Sequence, residues 1–390
     1  MATALPGRSR GGRSRSALWS LGALALGLCA CTAAAKQVGT TAPVTVRPVG
    51  ASVRLAQPVA STGVYVTLLG LIPDTPATRH EVTISNYARL RDSFGIAPPA
   101  DPADRAQREA YFTQLVATHA RGFFPTFLSE LGAEGVQTNL AAYLGYRRVD
   151  QDVSAGAPPS MFTAIRGSFD PDAAAAALAA CAECPPPQTA QYDGVTYYSW
   201  GDDFAVDLQS ALKPPAFDRL GRGGRIAVTI EYVLRTLWTE GMTQMIGAAH
   251  GGPSLGVDAD FRLTAQGLED LQTYGAYITD QTQTAEGAGP PGPLLRPYSL
   301  IAVGVGRDAN GESFTGVALV HASEQAAQEN VGLVQRRIAE TSSAATGRPW
   351  ASLFSAVEVH ADGRLLAITL HGSTIGADFL LRRDPLFAHE

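Results

Sequence analysis

Two dipeptides near the C-terminal end of the sequence limit what the chain can fold into. Asn310-Gly311 separates the β-rich runs Tyr298 to Gly306 and Ser313 to His321, and Asp362-Gly363 separates Leu353 to His360 from Arg364 to His371. Asn, Asp and Gly accept the positive φ that tight hairpin turns require, so each pair of runs reads as an antiparallel hairpin. A two-residue Asp362-Gly363 turn sets Phe354 opposite His371. Between the hairpins, Ser323 to about Ser342 carries a helical pattern, and a last helix is expected near Thr374 to Phe387. Residues 298–390 thus read as a ββαββα unit. Hairpins followed by helices imply an α+β layer, not a doubly wound sheet.

Upstream, Gly287-Ala288-Gly289-Pro290-Pro291-Gly292-Pro293 breaks any helix or central strand and marks a linker over 287–297. Residues 161–286 read as a second α+β unit. It has a strand over Met161 to Ser168 and an alanine-rich helix opened by Asp170-Pro171, with cap and N1 proline in place. A turn at Tyr192-Asp193-Gly194-Val195 leads into a strand, and Ile226 to Val233 is a further β-rich run. Helices follow over Thr239 to Ala249 and Asp258 to Ile278. The order of these elements loosely echoes the unit after Tyr298. Residues 63–160 read as mostly helical, with an apolar stretch at Val64 to Ile72, a cap at Asp74 or Thr75 before Pro76, and a helix from about Asp104 to Arg121. The fold class expected is α+β: a helical N-terminal segment followed by antiparallel sheet units, built of hairpins, packed with helices.

The N-terminal end speaks to location. Arg8, Arg10, Arg13 and Arg15 precede an apolar run from Ala17 to Leu28 and small residues around Cys31, the basic, apolar, small order of a secretory signal. A membrane-crossing helix needs roughly 20 apolar residues, so this run of about 12 is read as a cleaved signal over 1–30. Leu28-Cys29-Ala30-Cys31 resembles the lipobox of bacterial lipoproteins, departing from it at Cys29. Cys29 fits less well as the modified residue, because Leu28 would then sit at the cut. The resemblance implies a lipid on Cys31 and a protein held at a membrane outside the cytoplasm. Ordinary secretion, with a cut near Ala33 to Ala35, is the other reading. Residues 31–62, rich in Thr, Val, Ala and Pro, read as a tether. Losing those four arginines and no acid takes the formal charge from −6 to −10, a poor match for nucleic acid.

Phe169-Asp170, Tyr192-Asp193-Gly194-Val195, Ile246-Gly247-Ala248-Ala249-His250-Gly251 and Ser254-Leu255 resemble a group of uncharacterised bacterial envelope proteins over roughly 161–340. That group carries no activity to transfer. Gly252-Pro253-Ser254-Leu255-Gly256 matches the G-x-S-x-G pattern of hydrolase elbows, with His250-Gly251-Gly252 as a would-be oxyanion loop and His371 or His360 with Asp308 or Asp362 as triad partners. It follows a helix instead of a strand, so a helix C-cap and turn is the reading adopted. Gly304-Val305-Gly306-Arg307-Asp308-Ala309 fits a loose dinucleotide fingerprint but lacks the helix that must follow.

Cys181-Ala182-Glu183-Cys184 lies at a helix C-terminus, where the dipole opposes a low thiol pKa, so it reads as a structural disulfide, with redox or metal function and free thiols as the other readings. Asp258 and Asp260 read as helix caps. Phe123, Phe124 and Phe127 with Tyr143 and Tyr146 read as core, a ligand pocket being the other reading. No metal or cofactor motif is found. The function expected is a membrane-anchored envelope lipoprotein acting as a non-enzymatic binding or structural module, with an envelope protein or a small apolar ligand as the candidate partner. A serine hydrolase using Ser254 is the alternative.

Overall fold

The computed structural model describes residues 63–101, 104, 106–107, 109–111, 113–114, 148–180, 186–206, 224–284, 292–372, 375–376, 380–381, 384 and 386–390. The lipobox with Cys31, the tether, Cys181, Cys184 and the aromatic group at Phe123 to Tyr146 lie outside them. The strands are β1 (Val82–Asn86), β2 (Arg148–Ala155), β3 (Phe162–Ser168), β4 (Gln188–Tyr192), β5 (Val195–Trp200), β6 (Gly224–Val228), β7 (Tyr232–Thr236), β8 (Thr273–Thr279), β9 (Tyr298–Arg307), β10 (Ser313–His321), β11 (Ala356–Asp362) and β12 (Leu365–His371). Among the described residues the helices with defined ends are α1 (Val64–Leu69), α2 (Pro76–His80), α3 (Tyr87–Phe94), α4 (Pro171–Ala180), α5 (Thr239–Ala249), α6 (Ala259–Asp270) and α7 (Glu324–Glu340).

All twelve strands form one antiparallel sheet in the order β11-β12-β10-β9-β8-β1-β2-β3-β7-β6-β5-β4. This corrects the expected fold class. Among the described residues the N-terminal segment is not a separate helical unit: 106–107, 109–111 and 113–114 are helical, but β1 and β2, from the same stretch, sit in the middle of the sheet. Their signal is weak for a physical reason. β1 offers only Val82 and Ile84 as apolar alternation, and β2 carries a bulge between Val149 and Gln151 that sends Val149 and Val153 to opposite faces. Three other readings change. Ile226 to Val233 is two strands around Thr229 to Glu231, and the helix from Asp258 stops at Asp270, with Gln272 at φ 58° turning the chain into β8. The last hairpin pairs Ala356, not Phe354, with His371, because its two loop residues are Gly363 and Arg364. Of the helix expected near Thr374 to Phe387, residues 380–381 are helical, whereas 375–376, 384 and 386–390 are not; His389 bridges Thr284 and Leu295.

The strand order repeats between the two halves. Reading outward from the central pair, β1-β2-β3-β7-β6 in one half matches β8-β9-β10-β12-β11 in the other, and α4 and α7 occupy the same place in each. Two residues separate each of these helices from its strand, and Asp170 and Ser323 cap them, their side chains accepting from Ala173 N and Ala326 N. The β4–β5 hairpin is an addition to the first half.

One sheet face is covered by α1, α5 and α6 and buries Val82, Ile84, Val153, Ala276, Leu300 and Ala302. The other carries two separate apolar clusters, one under α7 with Ile301, Val303, Val317 and Leu319, the second under α3 and α4 with Ile165, Ile226 and Val233. Alternate residues of β9 and β10 therefore serve both faces, which explains their unbroken apolar runs. Across the middle of that second face the intervening residues are polar: Thr83, Ser85, Asp152 and Ser154, with Tyr87 Oη donating to Asp152 at 2.6 Å and Ser154 Oγ 3.2 Å from Thr163 Oγ1.

The halves meet where β1 pairs with β8, Val82 opposite Ile278 to Ser85 opposite Gly275. Arg79 reinforces the junction, donating to both oxygens of Asp74 at 2.6 and 2.7 Å and to Asp258, the α6 N-cap, at 2.7 Å. Burial alone would raise the Asp258 carboxyl, but the Phe261 N–H and the Arg79 guanidinium hold it below the usual carboxylate range. Surface ion pairs are worth about 0–1 kcal/mol each, against roughly 1.5–3 kcal/mol for each fully buried Leu or Ile. Arg79 thus fixes alignment, while the apolar faces supply stability.

His321, fully buried at the end of β10, ties this strand to α7. Its Nε2 accepts from Asn330 Nδ2 at 2.6 Å and its Nδ1 lies 3.3 Å from the Arg364 carbonyl, so the imidazole is held neutral with the proton on Nδ1. Burial holds its pKa below the usual histidine range. The unfolded chain therefore takes up this proton first. Stability is complete above the unfolded value of about 6.5 and is lost as pH falls through the lower folded value. Urea unfolding between pH 8 and pH 5 is expected to show that loss, with a flatter profile for His321→Met; an identical slope in both proteins would contradict the assignment.

Candidate functional site

The sequence places a helix terminator, a tight turn and an exposed loop beside one another in space. Helix α5 ends in a Schellman motif: Gly252 N–H reaches the Gly247 carbonyl at 2.9 Å and Gly251 N–H the Ala248 carbonyl at 3.0 Å, with Gly251 at φ 89°. This cap fixes His250 at the helix end. The β4–β5 hairpin turns through Asp193 and Gly194, both in the left-handed region, and delivers the Asp193 carboxylate 2.5 Å from His250 Nδ1. The His250 ring is thereby oriented, and the pair becomes an ion pair when the imidazole is protonated.

Beside this pair lies a shallow groove of about 560 Å³ lined by Pro171, Val195, Ile230, Tyr232, Leu234, Ile246, Ala249 and His250. Its wall is apolar except for His250, Glu231 and Thr229. Ile230, at the tip of the β6–β7 turn, is 71% exposed. A concave apolar wall with one oriented imidazole suits binding of an apolar group that carries a single polar or anionic handle. A second, smaller opening of about 190 Å³ lies between α6 and the outer strands, with Asp270, Glu358, His360 and Asp362 around Leu365 and Ala367. Burial, then the neighbouring Asp362, raises the Asp270 carboxyl above the usual range.

Ser254 does not open on either groove. It is 2% exposed and lies in the short bridge to Pro73 that links the two halves, where Leu255 N–H donates to the Ile72 carbonyl at 3.0 Å. Both glycines of its motif have packing reasons. A Cβ at Gly252 would sit 2.8 Å from the Gly247 carbonyl oxygen, and one at Gly256 would sit 2.5 Å from the Gly70 nitrogen at the end of α1. Among the described residues no hydrogen bond joins Ser254 to His360 or His371, which lie on β11 and β12. His371 Nε2 is instead 3.5 Å from Glu358. Asp258 caps α6 through Asp260 N and Phe261 N, as the sequence suggests, and Gly304 and Gly306 lie within β9.

The Asp193–His250 pair and the groove are not legible from the sequence. Tyr192-Asp193-Gly194-Val195 and Ile246 to Gly251 stand out individually, but nothing in their spacing joins residues 57 positions apart. Comparison with family models, with curated proteins and with solved structures found no match for this chain.

If Gly252-Pro253-Ser254-Leu255-Gly256 serves packing, its last glycine matters more to stability than its serine. Gly256→Ala is expected to cost about 1–3 kcal/mol through overpacking against Gly70, visible as a lower urea midpoint. Ser254→Ala should shift the midpoint less. A stable Gly256→Ala protein would contradict this account of the motif.

Proposed function

We propose that this chain is an exported envelope lipoprotein, held at a membrane by a lipid on Cys31, whose folded body binds an apolar ligand or the apolar segment of an envelope partner at the groove beside α5. The observation that carries the binding reading is that groove: an apolar wall, Ile230 standing 71% exposed at its rim, and His250 oriented by Asp193. The anchor reading rests on the basic, apolar, small order of the first residues and the lipobox-like Leu28-Cys29-Ala30-Cys31. A structural Cys181–Cys184 disulfide belongs to the same reading, since an exported chain meets oxidising conditions. The net negative charge supports a partner other than nucleic acid. Ser254 of the hydrolase-like motif is buried and does not line this groove, which favours the binding reading over the hydrolase one.

Two arms test the proposal in the full chain. In membrane fractionation, wild type and Cys29→Ser are expected in the membrane and Cys31→Ser in the soluble fraction; retention of the Cys31 variant would overturn the anchor. In a fluorescence titration with 1-anilinonaphthalene-8-sulfonate, saturable binding is expected to weaken about tenfold in Ile230→Asp, because an apolar contact becomes a desolvated charge. Unchanged binding by that variant would overturn the groove.

A further inference from the structure

The polar groups around the groove beside α5 select between a polar and an anionic handle. Asp193 Oδ2 lies 2.5 Å from His250 Nδ1, and an ionised carboxylate can only accept, so Nδ1 carries the proton of the neutral imidazole. Nε2 is then a bare acceptor, and among the described residues nothing donates to it. Glu231 adds an exposed carboxylate at the β6–β7 turn and makes no ion pair among the described residues. Thr229 is spent on Tyr232: its hydroxyl donates to the Tyr232 carbonyl at 3.1 Å and accepts from the Tyr232 N–H at 2.9 Å. Burial, then the nearby Glu231 carboxylate, raises the Tyr232 phenol above its usual range. Asp170 and Asp172 flank Pro171, another wall residue. Arg166, opposite Tyr232 on β3, does not line the groove. The wall therefore offers acceptors and negative charge.

We infer that the ligand of this groove is an apolar chain ending in a primary ammonium, and that protonation of His250 releases it. This deepens the binding reading and rests on it. The chain packs on Val195, Ile230, Leu234 and Ile246. The ammonium brings three N–H donors and no acceptor, so it matches His250 Nε2, and its charge is complementary to Glu231 and Asp193. A carboxylate in its place would meet two carboxylates and a nitrogen lone pair. A hydroxyl could donate to Nε2 but would leave the negative charge uncompensated. Acid reverses the arrangement: a protonated imidazole keeps one N–H on Asp193, turns Nε2 into a donor and sets a positive charge beside the ammonium. Histidine is the side chain whose charge ordinarily changes between pH 8 and pH 5.5. The charged and titratable groups around it are Asp193, Glu231, Tyr232, Asp170, Asp172 and Arg166.

Titration calorimetry of the full chain with octylamine, octanol and octanoate tests the handle, since the alkyl chain is the same in all three. At pH 8, where octylamine is the ammonium, it is expected to bind about tenfold more tightly than octanoate. Glu231→Gln should weaken octylammonium about threefold, the worth of an exposed ion pair, and leave octanol unchanged. Lowering the pH to 5.5 should weaken octylammonium by about threefold or more, and His250→Gln, which keeps every other titrating group, should flatten that difference. The inference is overturned if octylammonium fails to bind, if octanoate binds as tightly at pH 8, or if neither Glu231→Gln nor pH moves the octylammonium affinity. Should octanoate bind the tighter while Ile230→Asp still weakens 1-anilinonaphthalene-8-sulfonate, the handle is wrong and the groove stands. Should Ile230→Asp leave that probe unchanged, the groove falls and this inference with it.

Discussion

The antiparallel pairing of β1 with β8 is the contact on which the rest of the structure depends. Each half carries helices on both faces and a strand order that repeats, but only this five-residue strand and its partner make the halves one sheet. The Arg79 clamp from Asp74 to Asp258, the Pro73–Ser254 bridge and the close approach of Gly256 to Gly70 all sit at this junction. The apolar cluster on the first face runs across it without interruption, from Val153 and Ile84 to Ala276 and Leu300. Cohesion comes from that shared cluster, and alignment from the polar contacts at its rim.

Much of the C-terminal half can be read directly from the chain, because its strands are long and its turn residues are specific. β9, β10, α7, β11 and β12 follow from Asn310-Gly311, Ser323 and Asp362-Gly363, with the last register displaced by two residues. In the first half, the Thr75 and Asp170 caps and the α5 boundaries are likewise legible. The central strands are not. β1 is too short to show a period, β2 has its alternation reset by a bulge, and β8 follows α6 without Gly or Pro, the turn being made by Gln272 in a left-handed conformation. The site is less legible still. His250 owes its position to a glycine cap visible in the sequence, but Asp193 reaches it only because the β4–β5 hairpin folds back over the end of α5.

The extra hairpin gives the first half its distinct surface. It supplies Asp193 and Val195 to the groove, and it replaces a charged sheet edge such as β11 with an uncharged one at β4. Asp193 and Val195 thus come from the one hairpin that the repeated strand order does not share.

The account makes the two halves one cooperative unit joined at β1 and β8, and native-state amide hydrogen exchange in increasing urea tests this most directly. It predicts that amides of 82–86 and 273–279 are among the slowest to exchange, and that the slowest amides of β3, β7, β10 and β12 converge with them on a single unfolding free energy. Loss of protection in β1 to β7 at a urea concentration where β9 to β12 remain protected would contradict it, and would mean that each half folds on its own.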